Sequence, residues 1–445
     1  MTTIIVIYLV FLFVIVSYTK KYTKTSEDFF LAGRNLNWLV AGGSIVATGI
    51  GGTAILGYAG AYYHYGIVWH TMFSTAFISA LFFAFFVAER VRSIGAQTLP
   101  EILGKFYGGK TSLIGAIMII ASDTIIIALQ IKAMSHLFVA FLDIPEVWST
   151  ILCAILFTSI SLIGGFLGVA ITDAIGTLFI TIGILWVAVV SMNLAGGFQV
   201  EKYLQNFSAI SWQKMLGNNL SLFGLLFASQ SIIFQRLHSV STPKDAKKSL
   251  FVWAVGLVLI MGISVPLIGF SAREILGENL KPDQVIPTMI KQVLSPQSGA
   301  ILVAVLIGAI MTSANSMLLS VSMNITKDIA ETGFNKKYDD KTVLKMGRVF
   351  TVILGFITYI IATYITSLIG TIIFVYTAIS ALVIPLYSGI FGLSKPLGGF
   401  LSLLFGIVSG IGWYLIGQPW EIHPVVACYV CGLIGLIIGN TFDSK

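Results

Sequence analysis

The sequence carries few charges, and this shortage decides its class. Only 10% of its 445 residues are charged, whereas 57% are hydrophobic, and the mean hydropathy is +0.94. A soluble domain carries about 25% charged residues, and no soluble core could bury this much apolar surface. The sequence therefore predicts a membrane protein whose solvent is largely lipid.

Cysteine and histidine are also scarce. The three cysteines, among them the Cys428-x-x-Cys431 pair, all lie in apolar stretches. Nothing in this placement suggests a disulfide framework, and it favours small helix-packing residues over a redox pair. The five histidines are scattered, no His-Glu-x-x-His motif occurs, and the loops are too short for a catalytic domain. We predict that the chain is not an enzyme.

Its net charge of +7 forms no basic stripe, so we expect no nucleic-acid binding.

Long apolar runs are abundant. Crossing a bilayer takes about 20 helical residues, and thirteen segments qualify: 2–19, 36–58, 67–88, 113–139, 148–163, 168–194, 214–234, 249–271, 297–326, 349–367, 369–392, 397–416 and 424–440. The break between 163 and 168 rests on Gly164-Gly165 alone. Lysines follow the first run rather than precede it, so we expect a retained span, not a signal peptide. The sequence predicts an all-α polytopic membrane protein with about 13 transmembrane helices.

The basic residues indicate an orientation. With the N-terminus outside, 20 of the 26 Lys and Arg fall inside, most of them in segments 20–34, 90–110, 236–248 and 327–348. Five fall outside, and Lys132 lies within a span. Inside loops carry the excess of Lys and Arg. We therefore predict a multi-pass protein of the cell (plasma or inner) membrane, with its N-terminus outside and its C-terminus cytoplasmic.

Two acidic residues, Asp123 and Asp173, lie well inside the spans. An ionisable group in hydrocarbon costs a few kcal/mol or more, so it usually faces a cavity, a partner or an ion. For Asp123, a functional pocket and a buried structural hydrogen bond both stay open. Lys132 lies nine residues further along the same helix, too far to pair with Asp123, and we expect it to snorkel.

Two stretches have the chemistry of a cation site. The second span is interrupted at mid-depth by Gly49, Gly51 and Gly52, which permit unwinding and release backbone carbonyls. The ninth span has small and hydroxyl residues on one face, namely Ala309, Thr312, Ser313, Ser316 and Ser320. Close helix packing explains either stretch alone. Together they favour a Na⁺ site between two repeats.

Five short motifs occur in a fixed order between about residues 29 and 328: FFLAGRNLNW, AQTLPEIL, LIGGFLGVAITD, SQSIIFQR and AIMTSANS. They resemble the sodium:solute symporter family. The resemblance implies secondary active transport, in which Na⁺ drives symport of a small solute by alternating access. It also implies a LeuT-type core of two inverted five-helix repeats, 36–194 (spans 2–6) and 214–392 (spans 7–11). Spans at 1–19 and 397–440 would be peripheral.

The resemblance further implies site residues. The first helix of each repeat would be broken at the midplane, where solute and ion bind. The main sodium site would use backbone carbonyls of Ala47, Ile50 and Ala309 and hydroxyls of Thr312 and Ser313. A second sodium, found in some members, would use Asp173, Thr312 and Ser316, with Asn315 where others have hydroxyl or acidic groups. The solute cavity would be lined by Gln230, Thr53, Ala54, Phe73, Ser74 and Tyr376. His70 could bond the solute or a neighbouring helix.

Several solutes and couplings stay open. Local strings resemble both proline symporters and choline transporters, but choline needs an aromatic cage. Gly49 and Ser229 stand where those choline-transporting relatives have tryptophan. We therefore favour proline or another small amino acid, with a small monocarboxylate or a sugar as alternatives. A proton-coupled carrier using Asp123 or Asp173 is the nearest rival, and a channel is disfavoured. The expected partners are Na⁺, a small-molecule solute and the lipid bilayer, with no obligatory protein partner implied.

Overall fold

A computed structural model describes residues 2–197, 200–206, 210–224, 231–365 and 368–443. Every regular element in these ranges is helical, and extended backbone pairs there only in two isolated bridges, Leu36 with Val240 and Gly66 with Asn206. Large apolar side chains cover the outer surface; Ile7, Ile182 and Val408 are each more than 60% exposed. An apolar exterior around a helical bundle is suited to lipid. The predicted all-α membrane fold is confirmed.

Twenty-one α-helices are described. In the first half they are α1 Thr2–Thr19, α2 Ser26–Leu31, α3 Trp38–Gly49, α4 Gly52–Tyr65, α5 His70–Phe82, α6 Ala88–Ile94, α7 Leu99–Tyr107, α8 Gly109–Leu142, α9 Glu146–Leu194 and α10 Val200–Tyr203. In the second half they are α11 Trp212–Gly224, α12 Ser231–Ser239, α13 Pro243–Leu257, α14 Val265–Leu276, α15 Val285–Thr288, α16 Pro296–Asn324, α17 Asp340–Tyr364, α18 Leu368–Ser380, α19 Val383–Ile390, α20 Pro396–Leu415 and α21 Pro424–Phe442.

Wider π-helical turns connect or extend several of these helices. One at Phe83–Val87 joins α5 to α6, one at Val258–Ser264 joins α13 to α14, and one at Ile325–Gly333 continues α16. Counted with these turns, nine helices of the described ranges are long and apolar enough to cross a membrane. The bent pair Trp38–Gly49 and Ala54–Tyr65 makes a tenth. The count of thirteen spans stays a prediction.

The longest helix, α9, turns back on itself. Its 49 residues would extend about 73 Å if straight, more than twice the thickness of the hydrocarbon. Gly165 interrupts it with φ 55° and ψ −162°. Ser161 Oγ donates to the Asn315 carbonyl at 3.2 Å, and Asp173 Oδ2 accepts from Ser316 Oγ at 3.0 Å. Two residues twelve apart in α9 thus reach neighbouring residues of α16, and the predicted break at the glycine pair is confirmed.

The four basic segments meet at one end of the bundle. Hydrogen bonds join them there: Arg34 Nη1 donates to Ala96 O (3.5 Å), Arg92 Nε to Val240 O (2.9 Å), and the Ser26 N–H to Asp340 Oδ1 (3.0 Å). The charge pattern predicted this grouping. We call this the basic end. Which face of the bilayer it occupies stays a prediction.

Candidate functional site

The helix break that the glycines predict lies between α3 and α4. Ile50 ends α3 with φ −114° and ψ 62°, and Gly51 is extended, with φ −68° and ψ 166°. The two helical pieces meet at a 55° bend. Because the last four carbonyls of a helix have no partner within it, the end of α3 offers free backbone oxygens in the middle of the bundle.

Hydroxyls of α16 lie against these oxygens. Thr312 Oγ1 is 3.1 Å from the Ala47 carbonyl and 3.0 Å from that of Ala309. Ser313 Oγ is 3.1 Å from the Thr48 carbonyl and 3.2 Å from that of Ala309. Each hydroxyl has one proton for two carbonyls, so its lone pairs stay available. Five neutral oxygens converge here, the donor set of a cradle for a dehydrated alkali cation. We call it the oxygen cradle.

Two glycines let the broken helix approach α16 this closely. A Cβ added at Gly51 would lie 2.7 Å from Ser313 Oγ. One added at Gly52 would lie 2.5 Å from Ile310 Cγ1 and 2.9 Å from the Leu306 carbonyl. At Gly52, where the near atoms include backbone, a larger residue would push α4 away from α16.

Most residues named for the main site come together. Thr312 contacts Ala47 and Ala309, and Ser313 contacts Ala309. Ile50 lies buried at the break itself. The Thr48 carbonyl, which the sequence did not single out, is the one that accepts from Ser313 Oγ. A backbone carbonyl leaves no signature in a sequence, so only the geometry could identify it.

The second predicted sodium position holds a buried ion pair. Arg236 Nη2 lies 2.9 Å from Asp173 Oδ2, and neither side chain is more than 1% exposed. Ser44 Oγ and Ser316 Oγ also donate to Asp173 Oδ2, at 2.6 and 3.0 Å. Asn315 is buried beside Ser316, but the structure describes no side-chain hydrogen bond from it to this cluster.

Arg236 corrects the assignment of the basic segments. The charge pattern counted it among the loop residues of 236–248, but it is 0% exposed and α12 continues beyond it to Ser239. Its guanidinium donates from Nη2 to Thr48 Oγ1 (2.7 Å) and from Nε to Ser44 Oγ (2.7 Å). A basic residue at the edge of an apolar run looks like a loop residue; only its polar neighbours mark it as buried. The pair and its hydroxyl partners Ser44, Thr48 and Ser316 are called the Arg–Asp cluster.

The residues predicted to line the solute cavity are not all brought together in the structure. Gln230 lies outside the described residues, and Thr53 and Ala54 are in the first turn of α4. The Phe73 ring packs against Gly262, where an added Cβ would lie 2.6 Å from it. Ser74 Oγ donates to the carbonyl of His70 at 3.1 Å.

One face of α4 carries aromatic groups that the sequence reading missed. His70 Nδ1 lies 3.0 Å from the Tyr62 hydroxyl, so it makes the helix–helix bond left open above. Tyr376 lies near Tyr58. Ala54, Tyr58 and Tyr62 are spaced by four, so they share one face of α4. That spacing was the available signal.

The isolated charges inside the membrane have local partners. Ser231 Oγ donates to Asp123 Oδ2 at 2.6 Å and accepts from Ser320 Oγ at 2.8 Å, so the structural hydrogen bond is present. Lys132 pairs with Glu146 at the start of α9, not with Asp123. A third buried acid, Asp328, was missed because it lies just past the predicted span end at 326. It accepts from Thr98 Oγ1 at 2.7 Å and is 2% exposed.

Comparison with known proteins places this chain in a family. The model of the sodium:solute symporter family matches residues 29–394. The chain belongs to the sodium:solute symporter family. This symporter is 26% identical to the sodium/proline symporter of Haemophilus influenzae, covering 95% of this chain and 91% of that protein. It is 24% identical to the high-affinity choline transporter 1 of Torpedo marmorata (91% and 74%) and 25% identical to the sodium/glucose cotransporter of Vibrio parahaemolyticus (78% and 71%).

Solved structures show the fold of this symporter. A Na⁺-coupled sialic acid symporter in a substrate-bound outward-open state matches it with a TM-score of 0.84 at 15% identity, covering 100% of this chain and 98% of that one. A nucleobase-cation-symport-1 family transporter matches with a TM-score of 0.66 at 12% identity, covering 93% of both chains. The fold is LeuT-like, and Na⁺-coupled symport is the activity of the family.

Proposed function

We propose that this protein takes up a small organic solute together with Na⁺, which binds in the oxygen cradle between the α3–α4 break and α16. The observation that supports this most directly is that the hydroxyl oxygens of Thr312 and Ser313 each lie about 3.1 Å from a carbonyl oxygen at the end of α3. The cradle is neutral and buried, so a bound Na⁺ brings the only charge to it. Ile50 would add a further carbonyl at the break.

We propose one sodium ion per solute. The groups assigned to a second sodium, Asp173 and Ser316, already surround the Arg236 guanidinium. A guanidinium stays protonated in proteins, so this position has a permanent cation. The same pairing disfavours Asp173 as a proton carrier, because its charge is compensated within the cluster.

The proposed solute is proline or another small amino acid. Sodium/proline symporters recur among the relatives, although choline and glucose transporters are about as similar. Support from the chain itself is the compact α4 face of Ala54, Tyr58 and Tyr62, beside His70 and Tyr376. Gln230, Thr53, Phe73 and Ser74 are proposed as further lining residues. Helix ends at the break would face the solute carboxylate.

The proposed topology has two inverted repeats, 36–194 and 214–392, with the N-terminus outside. The basic end then faces the cytoplasm. The oxygen cradle lies between the first broken helix and α16, one element from each repeat. An inward sodium gradient would act across that interface.

Uptake into proteoliposomes tests the proposal. Labelled proline is offered first, then a panel of small amino acids, monocarboxylates and sugars, with an inward gradient of Na⁺ or of K⁺ and with or without a pH gradient. We expect uptake that requires the Na⁺ gradient and changes little with the pH gradient. Uptake that follows the pH gradient and ignores Na⁺ would assign the protein to the proton-coupled rival.

A further inference from the structure

One face of α16 stays polar from the oxygen cradle to the basic end. Ser313, Ser316, Ser320, Asn324 and Asp328 follow one another at intervals of three or four residues, and none is more than 3% exposed. At this spacing they lie on one side of the helix, over a length of about 20 Å. Transport at the cradle uses only Ser313, and the Arg–Asp cluster accounts for Ser316, so three buried polar groups need another explanation.

Each level of this face meets polar groups from other helices. Ser316 contacts the Arg–Asp cluster. Ser320 Oγ donates to Ser231 Oγ, which donates to Asp123 Oδ2, and Asp328 accepts from Thr98. Three carboxylates therefore lie along the face, all in the half of the bundle between the cradle and the basic end.

These carboxylates differ in their counter-charges. Asp173 has the Arg236 guanidinium, but no cationic side chain of the described ranges pairs with Asp123, whose partner there is a hydroxyl. A membrane-buried carboxylate without a counter-ion is costly, and by default such a residue is a candidate for an ion or proton pathway. The Asp123 carboxylate and the Ser231 and Ser320 hydroxyls are three groups with hard oxygens, about 10 Å along α16 from Ser313.

The end of the face also has unused bonding capacity. Within the described residues, neither side-chain amide atom of Asn324 nor Oδ2 of Asp328 has a hydrogen-bond partner, although both residues are buried. Buried polar atoms almost always find a protein or water partner. In an open path for water and a hydrated ion, such donors and acceptors would bond to water. When the path is closed, they are left without partners.

We propose that this face of α16 is the route by which Na⁺ leaves the oxygen cradle for the cytoplasm, and that Asp123, Ser231 and Ser320 form a transient sodium site on it. The inference rests on the proposed function, since it needs Na⁺ in the cradle. Asp123 stabilises the ion after it leaves the neutral oxygens, and Asn324 and Asp328 provide the next oxygens toward the basic end.

Accessibility tests the route without any solute. Ser320→Cys and, as a matched control, Ser322→Cys are made with Cys153, Cys428 and Cys431 replaced by Ser. Both serines are buried on α16, but Ser322 Oγ donates to the Gly347 carbonyl on another side of the helix. A charged methanethiosulfonate is applied from the basic end in K⁺ or in Na⁺. We expect Ser320→Cys to react in K⁺ and at least tenfold more slowly in Na⁺, and Ser322→Cys to stay unreactive. Equal reactivity of the two variants, or none at Ser320→Cys, would overturn the route.

The role of Asp123 is tested with Asp123→Asn and Asp123→Glu. Labelled proline is followed as net uptake on a Na⁺ gradient and as exchange with saturating Na⁺ on both sides, which requires no Na⁺ release. We expect Asp123→Asn to lower net uptake at least tenfold but to leave exchange and equilibrium ²²Na⁺ binding within twofold, and Asp123→Glu to restore part of the uptake. Unchanged net uptake, a parallel loss of exchange, or loss only of a pH-driven component would overturn it. Wild-type protein that binds no ²²Na⁺ would instead refute the proposed function.

Discussion

The oxygen cradle and the Arg–Asp cluster are one helical turn apart on α16, and they differ in charge. The cradle gathers oxygens from Ala47, Thr48 and Ala309 with two hydroxyls and has no charged side chain. The cluster has an acid, hydroxyls and a cation that belongs to the protein itself. Thr48 contributes to both, its carbonyl to the first and its hydroxyl to the second.

The difference shows how a chain sets the number of ions it needs. The oxygens of the neutral cradle need a cation from outside the protein. The carboxylate of the cluster already has its counter-charge, the guanidinium, when the protein folds. The cluster also joins four helices, since Arg236 (α12) contacts Ser44 (α3), Asp173 (α9) and Ser316 (α16). We interpret the cluster as structural and the cradle as the exchangeable site.

Breaking the cluster should have the largest effect on stability. Removing one partner of a buried ion pair costs about 3–5 kcal/mol, because the other charge is left uncompensated. We expect Arg236→Met or Asp173→Leu alone to lower the Tm in detergent strongly or to prevent folding, and the double variant to recover much of the loss. A single variant as stable as the wild type would show that the pair is not the structural element we describe.

Closing the gap between α4 and α16 should have the next largest effect. Gly52→Ala places a methyl group 2.5 Å from Ile310 Cγ1, and overpacking of this kind costs about 1–3 kcal/mol. We expect a lower Tm and weaker ²²Na⁺ binding. Gly57→Ala, in the same helix but with nothing within 4 Å of the added carbon, is the control and should leave both unchanged or raise the Tm. Equal effects of the two would contradict the close approach.

Emptying the cradle of hydroxyls should change ion binding more than stability. In Thr312→Ala/Ser313→Ala two neutral ligands are lost, and we expect the Na⁺ concentration for half-maximal transport to rise at least tenfold, equivalent to about 1.4 kcal/mol. Ser322→Ala removes a buried hydroxyl from the same helix outside the cradle and should leave Na⁺ activation unchanged. Wild-type Na⁺ activation in the double variant would refute the assignment.

The smallest effect is expected where a charge pair is partly exposed. Glu146 is 54% exposed where it meets Lys132, and pairs of this kind contribute at most about 1 kcal/mol. We expect Glu146→Gln to shift the Tm by only a few degrees and to leave Na⁺-driven uptake unchanged. A large loss of uptake would show that Lys132 takes part in transport.

What the sequence could predict depended on whether a feature repeats along the chain. Apolar runs and the spacing of Thr312, Ser313 and Ser316 are periodic, so the helical class and the shared face of α16 could be inferred. The turn in α9 was readable from two adjacent glycines, because few other residues adopt positive φ there.

Features that depend on tertiary proximity could not be predicted in this way. Arg236 was misplaced because its burial comes from Ser44, Thr48 and Asp173, which are distant in the chain. The Thr48 carbonyl and the tyrosine face of α4 were missed because neither departs from ordinary helix composition. Asp328 was missed because a π-helical turn carries α16 past the apolar run that marked its end.

The hairpin of α9 has a consequence for how the cradle works. One limb bonds to α16 at Asn315 and the other at Ser316, so both limbs fix α16 within one helical turn of the cradle. The opposite side of the cradle is a helix cut in two by Ile50 and Gly51. Sodium bound between them would connect the broken helix α3–α4 to α16. Its departure would remove that connection and leave the contacts between α9 and α16 unchanged.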